Sequence, residues 1–247
     1  MAQTGNYDNK YLPRPGSRPV YVYSEEWQEC RDEAKYHRVA LVKERLEEIR
    51  EEIEELMRSR RPAERQLGAA AALIVKGAMR VGTGYHNTDT FGAQNIQKRH
   101  FSFVSDDTFR VGYIGKGGVQ QEHEITDALL AETLRGLGAG KRSSKQVFPD
   151  LSYRQVLDWF DGFDLLPKDF RTWWADRLFR DCADQLMQQP LPEDERGRQE
   201  QVKREVNRVL GCIADMLGNT PDTTKASYVA RSAIEDYEKA RLSAKAK

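Results

Sequence analysis

The sequence predicts a mainly α protein that carries one small antiparallel sheet of three strands. Two observations lead to this class. Long stretches place apolar residues three and four apart, the spacing of an amphipathic helix. A single stretch, 96–126, instead reads as short β-prone runs joined by turn-forming residues. At 247 residues, with 39% hydrophobic and 32% charged residues, the chain is long enough for a sizeable core and has the composition of a folded protein. No run reaches eighteen apolar residues, so the sequence offers no membrane-spanning helix.

Residues 1–19, rich in Gly, Pro, Asn and Arg, read as an extended arm, and 20–23 (V-Y-V-Y) is a short β-prone run. This N-terminus has no apolar signal-peptide core, so a cytoplasmic protein is expected, nucleoid-associated in a bacterial host. From 29 to 57 there is no Gly or Pro, and Val39, Leu41, Val42, Leu46, Ile49, Ile53, Leu56 and Met57 trace a helical stripe. The opposite face, E-E-I-R-E-E-I-E-E, reads as a solvated acidic surface. Arg61-Pro62 breaks the pattern, and an Ala-rich helix is expected over 63–79. The strands are expected at 96–104, 109–114 and 120–125, with turns at S-D-D and G-K-G-G. Further helices are expected at 127–136, 152–160, 168–188 and 200–217. After Gly218-Asn219-Thr220-Pro221, a short helix and a longer one cover 222–243.

Three widely spaced cysteines and four scattered histidines match neither a disulfide framework nor a metal-ligand spacing, so no metal is expected. The 39 basic and 39 acidic residues cancel. Such a chain binds a polyanion only if its positive charge is gathered on one face.

Four polar residues stand in conspicuous settings: Arg80 in A-M-R-V-G, Lys116 in G-K-G-G, Arg171 in K-D-F-R-T-W-W, and Tyr228, nine residues after Asn219 in L-G-N-T-P. Taken singly, each has a plain reading as a surface ion pair, a turn residue or a packed ring. In this order and spacing the set resembles the catalytic domain of type IB DNA topoisomerases of the bacterial and poxvirus kind, over about residues 18–240. V-Y-V-Y-S-E-E-W and R-D-E-A-K-Y-H-R are similar to the family's interdomain stretch. Arg80, Gly82 and Tyr85 match its first arginine motif, and F-G-A-Q-N-I-Q-K-R-H resembles the segment leading into its sheet.

The resemblance implies the fold of the type IB topoisomerase and tyrosine recombinase catalytic core. It also implies a chemistry. Tyr228 attacks a DNA phosphodiester and forms a 3′-phosphotyrosyl bond. Arg80 and Arg171 hold the phosphoryl oxygens, Lys116 protonates the departing 5′ oxygen, and Asn219 adds a hydrogen bond. The nicked strand swivels, and religation reverses the first step, so neither ATP nor a metal is required. Lys98, Arg99, Arg110 and Lys168, with Lys203, Arg204, Arg208 and Lys225 near the nucleophile, are the expected phosphate contacts, together with Tyr21 and Tyr23.

Family members carry an N-terminal β-rich domain. About twenty residues precede the interdomain stretch here, so that domain is expected to be absent or reduced to an arm over 1–19, with 20–247 forming the catalytic domain. This leaves room for a protein partner that supplies the clamp around duplex DNA. A monomer is expected, since the swivel needs one active site. Two other functions share the residues. One is a tyrosine recombinase or integrase, which normally has a histidine where Lys168 stands. The other is a non-catalytic DNA-binding relative.

Overall fold

The computed structural model describes residues 24–82 and 89–243. The arm, the 20–23 run, Tyr21, Tyr23 and Tyr85 lie outside the described residues. The first helix, α1 (Glu25–Arg58), begins a few residues before the expected start. It buries Val39, Val42, Ile49, Ile53 and Met57, the inner part of the predicted stripe. Its polar face carries exposed ion pairs one turn apart, Arg45–Glu48, Arg50–Glu47 and Arg58–Glu54.

Helix α2 (Pro62–Gly77) crosses α1 closely. A Cβ on Gly68 would stand 2.8 Å from the Leu56 Cβ and 2.9 Å from the Met57 nitrogen, so glycine sets the approach. The buried run Ala69–Ala72 continues the same thin surface.

The sheet has the order β1-β2-β3, with β1 (Phe101–Phe103), β2 (Thr108–Ile114) and β3 (Gln120–Thr126), all antiparallel. Phe109, Val111 and Tyr113 of β2 and Gln121, His123 and Ile125 of β3 point inward, the alternation of a one-sided sheet. The first strand is shorter than the expected 96–104. Its first half forms a single 3₁₀ turn, Lys98–His100. There the Lys98 and Arg99 amides donate to Lys145 and Ser143 carbonyls instead of to a strand.

Helices α3 (Ala128–Gly138) and α4 (Tyr153–Asp161) start at side-chain caps, Asp127 and Ser152. Helix α5 (Pro167–Met187) opens on a proline. Helix α6 (Glu195–Leu217) begins five residues before the expected start at 200, because Asp194 accepts from the Gly197 amide and caps it there. Thr220 caps α7 (Pro221–Ser227), and α8 (Arg231–Ser243) follows.

Two apolar clusters result. One gathers α1, α2, the sheet, α3 and α4; the other gathers α6, Tyr228 and Val229, and α8. Helix α5 serves both: Phe170 and Trp173 pack into the first cluster, and Ala175, Phe179 and Leu186 into the second. Arg171 sits where they meet.

Candidate active site

Arg80 follows α2, which is stopped by Ala78 in the left-handed region (φ 51°). The chain then runs extended and pairs with 92–95: the Ala93 amide donates to the Arg80 carbonyl at 2.8 Å, and Gln94 to Val81 at 2.7 Å. Gly82 has φ +124°, and a Cβ on Gly92 would stand 2.5 Å from the Gly82 Cα, so glycines are needed on both sides. Asn95 closes the brace, accepting from the Gly92 amide at 2.7 Å and donating to the Thr90 carbonyl at 3.1 Å. The F-G-A-Q-N segment therefore holds Arg80 in place before it leads into the sheet.

Arg171 is 2% exposed. Its Nη1 donates to the Ala78 carbonyl at 2.6 Å and its Nη2 to the Leu217 carbonyl at 2.7 Å. These carbonyls lie at the C-terminal ends of α2 and α6, where partial negative charge collects and carbonyls lack helical partners. The guanidinium thus joins two helix ends, a role that its spacing in the sequence does not disclose.

The α6 end is also shaped by Gly218 (φ +57°), a left-handed cap. Asn219 comes next. Its Oδ1 accepts from Arg80 Nη2 at 3.0 Å, across 139 residues of sequence. Its Nδ2, and the Nε of Arg171, are buried donors without a hydrogen-bond partner among the described residues.

Tyr228 is the residue after α7 and is 5% exposed. The Arg171 guanidinium lies 5.4 Å from its ring centroid and the Lys168 ammonium 5.9 Å. Burial, the largest single influence on the phenol, pushes its pKa up. The charges of Arg171 and Arg80, hydrogen bonding from Arg171 and the charge of Lys168 together outweigh burial, and the net shift is downward.

Lys116 lies on the exposed turn between β2 and β3, where Gly117 and Gly118 both have positive φ. Arg80, Lys116, Lys168 and Arg171 line one cleft of about 450 Å³, together with Thr90, Phe91, Tyr153 and apolar neighbours. No carboxylate is among its lining residues. The acidic counterpart lies elsewhere, in a groove between α1 and α2 lined by Glu48, Glu51, Glu52, Glu55 and Glu64.

A family model described as the catalytic core of eukaryotic DNA topoisomerase I matches residues 24–247. The chain belongs to the type IB DNA topoisomerases. It comprises a topoisomerase catalytic domain, with the mainly α architecture and three-stranded sheet of that core, and the family's substrate is DNA. No curated protein matches the sequence.

The other basic residues of this topoisomerase are more dispersed. Lys98, Arg99 and Arg110 are exposed beside or on the sheet, with Lys98 bonded to the Lys141 carbonyl and Arg110 paired with Glu124 at 2.8 Å. Lys225 is exposed on α7, three residues from Tyr228. Lys203, Arg204 and Arg208 are exposed on α6, Lys203 and Arg204 in its N-terminal half. Among the described residues, no helix is long and apolar enough to cross a membrane, and no group of three His, Cys, Asp or Glu is placed to hold a metal.

Sequence reasoning missed the supports. Arg38 of α1 donates to Asp169 at 2.8 Å, and Asp169 accepts from the Leu166 amide at the start of α5. Lys35, one turn earlier, reaches the Ala226 carbonyl at 3.3 Å. One face of α1 therefore touches residues two positions before Arg171 and two before Tyr228. The signal was present in R-D-E-A-K-Y-H-R, where Lys35 and Arg38 are three apart.

Proposed function

We propose that Tyr228 is the nucleophile of this topoisomerase and that Arg80, Lys116, Arg171 and Asn219 complete its catalytic set. The observation that carries this reading is convergence. Residues 80, 171, 219 and 228 come from four different segments, yet Arg80 bonds Asn219 and Arg171 lies against Tyr228. A phosphodiester drawn into the carboxylate-free cleft meets Arg80, Lys116, Lys168 and Arg171 together.

Each role follows from the chemistry of its group. The cations that favour ionised Tyr228 ease loss of its proton to solvent water as Oη attacks phosphorus. Charge then builds on the non-bridging oxygens, where Arg80 can donate and where the buried Arg171 Nε and Asn219 Nδ2 are donors still to be matched. The Arg80–Asn219 bond fixes the carboxamide with its oxygen toward Arg80 and its NH₂ free to donate. The bond from phosphorus to the 5′ oxygen breaks, and that oxygen takes a proton from Lys116, whose exposed glycine-flanked turn can follow the leaving group. Religation runs these steps backward. The exposed residues Lys98, Arg99, Arg110 and Lys225 provide phosphate contacts on duplex DNA around the cleft.

Relaxation of negatively supercoiled plasmid at low salt, in EDTA and without ATP, tests the reading. Wild type is expected to give relaxed topoisomers and, on detergent quench, protein covalently joined to a 3′ end. Tyr228→Phe is expected to bind DNA and do neither. A covalent adduct formed by Tyr228→Phe overturns the assignment.

A further inference from the structure

Gln121 lies on β3, five residues after Lys116, and its side chain is buried. It faces two glycines. A Cβ on Gly218 would stand 1.6, 2.2 and 2.3 Å from its Nε2, Cδ and Oε1, and a Cβ on Gly115 would stand 2.8 Å from its Cγ. The planar carboxamide therefore rests on the bare Cα of Gly218 while the methylene stem rests on Gly115. Its Nε2 also donates to the Gln120 carbonyl at 3.3 Å, which ties the tip back to its own strand.

Both glycines adjoin residues of the catalytic set. Gly115 immediately precedes Lys116 in the turn. Gly218 immediately precedes Asn219, which holds Arg80. One side chain thus spans the gap between the base of the lysine turn and the turn that carries the phosphate-binding carboxamide. The tip of the lysine turn stands clear, since a Cβ on Gly117 or Gly118 would meet nothing within 4 Å, while backbone bonds close its base, the Gly115 amide donating to the Val119 carbonyl at 2.8 Å and the Gly118 amide to the Gly115 carbonyl at 3.1 Å. A proton donor on such a turn needs a fixed base if its ammonium is to reach the leaving oxygen.

We propose that Gln121 is a positioning residue that docks the Lys116 turn onto Gly218–Asn219, so that the proton donor and the phosphate-binding groups address the same phosphodiester. Its contribution is felt through Lys116, at the step in which the 5′ oxygen departs. The inference rests on the reading of Lys116 as the general acid.

The test compares single-turnover cleavage of two duplexes, carrying oxygen or sulfur at the 5′ bridging position of a plasmid-mapped cleavage site. A thiolate leaves without protonation, so a defect in proton delivery is suppressed on the sulfur duplex. Gln121→Ala is expected to slow cleavage of the oxygen duplex about tenfold and of the sulfur duplex by less than about threefold. Gln121→Leu retains the side-chain bulk and guards against a folding artefact. Its branched tip cannot lie flat on Gly218, and the same selective defect is expected at an unchanged melting temperature. Equal slowing on both duplexes, or none on either, overturns the proposal. Lys116→Ala is run alongside. If sulfur restores Lys116→Ala but neither Gln121 variant, the positioning role alone fails. If sulfur does not restore Lys116→Ala, the acid assignment fails and the inference with it.

Discussion

Tyr228 is held between two opposing influences. Its burial disfavours the phenolate, and the neighbouring cations favour it more strongly. Lys168 is the cation that can be removed with least damage, since it is exposed and its ammonium meets the ring at 5.9 Å. Loss of a positive charge near an acid raises that acid's pKa, so Lys168→Met should move the rising limb of the cleavage pH profile to higher pH. Each unit of displacement lowers the ionised fraction about tenfold at a fixed pH below the midpoint. The rate deficit should close as pH rises. A profile of unchanged midpoint and uniformly lower height would mean that Lys168 contacts DNA without acting on Tyr228. At this scale the sequence singled out Arg80, Lys116, Arg171, Asn219 and Tyr228 as candidates, because each stands in a short local pattern. It did not disclose that Arg171 donates to the Ala78 and Leu217 carbonyls. Those acceptors come from helix ends 139 residues apart in the chain and become neighbours only after folding.

The elements were legible wherever periodicity was long, as in α1, α2 and α5, and wherever a terminator was explicit, as at Pro62 and Gly218. They were misjudged where a cap or a distant carbonyl decided the boundary. Asp194 started α6 five residues before the expected position, and the 143 and 145 carbonyls drew 98–99 out of β1. Gly218 shows how one element end can serve two demands, a left-handed cap and close contact with β3. Gly218→Ala meets both penalties. The left-handed conformation costs an L residue about 1–2 kcal/mol, and the new methyl collides with the Gln121 carboxamide. The variant should melt lower by several degrees, on the order of 5 °C, and cleave DNA more slowly. In a Gln121→Gly background the collision is gone and the backbone term remains. The same substitution should therefore cost less there, a coupling that a double-mutant cycle reads directly. Equal costs in both backgrounds would show that the carboxamide yields freely and that the cap alone matters.

Across the whole molecule, the two apolar clusters meet at α5, and Tyr228 belongs to the second. What secures the outer wall of that cluster is a buried polar knot. Glu205 of α6 is 0% exposed and Arg241 of α8 is 2% exposed. Arg241 bonds both carboxylate oxygens at 3.1 Å, reaches the Gln189 carbonyl at 2.9 Å, and shares Glu205 with the Tyr237 hydroxyl, which donates at 2.6 Å. Burial, the largest influence on Glu205, pushes its pKa up, but the hydrogen bonds from Arg241, Tyr237 and Gln201 win and hold it below the ordinary carboxylate value. The linkage sign follows. With the folded pKa below the unfolded one, the knot's contribution is complete above the unfolded carboxylate pKa of about 4.3 and is lost as pH falls through the folded value. Glu205→Gln leaves Arg241 charged in an apolar setting and should cost about 3–5 kcal/mol, as breaking a buried pair does. It should also flatten the acid limb of the melting-temperature profile. Replacing both partners, Glu205→Met with Arg241→Met, removes the uncompensated charge and should recover most of that loss. Because α7 and α8 frame Tyr228, the single variant should lose cleavage activity at temperatures where the double variant keeps it. If the double variant is as unstable as the single, the knot acts through the shape of its side chains and not through the balance of its charges.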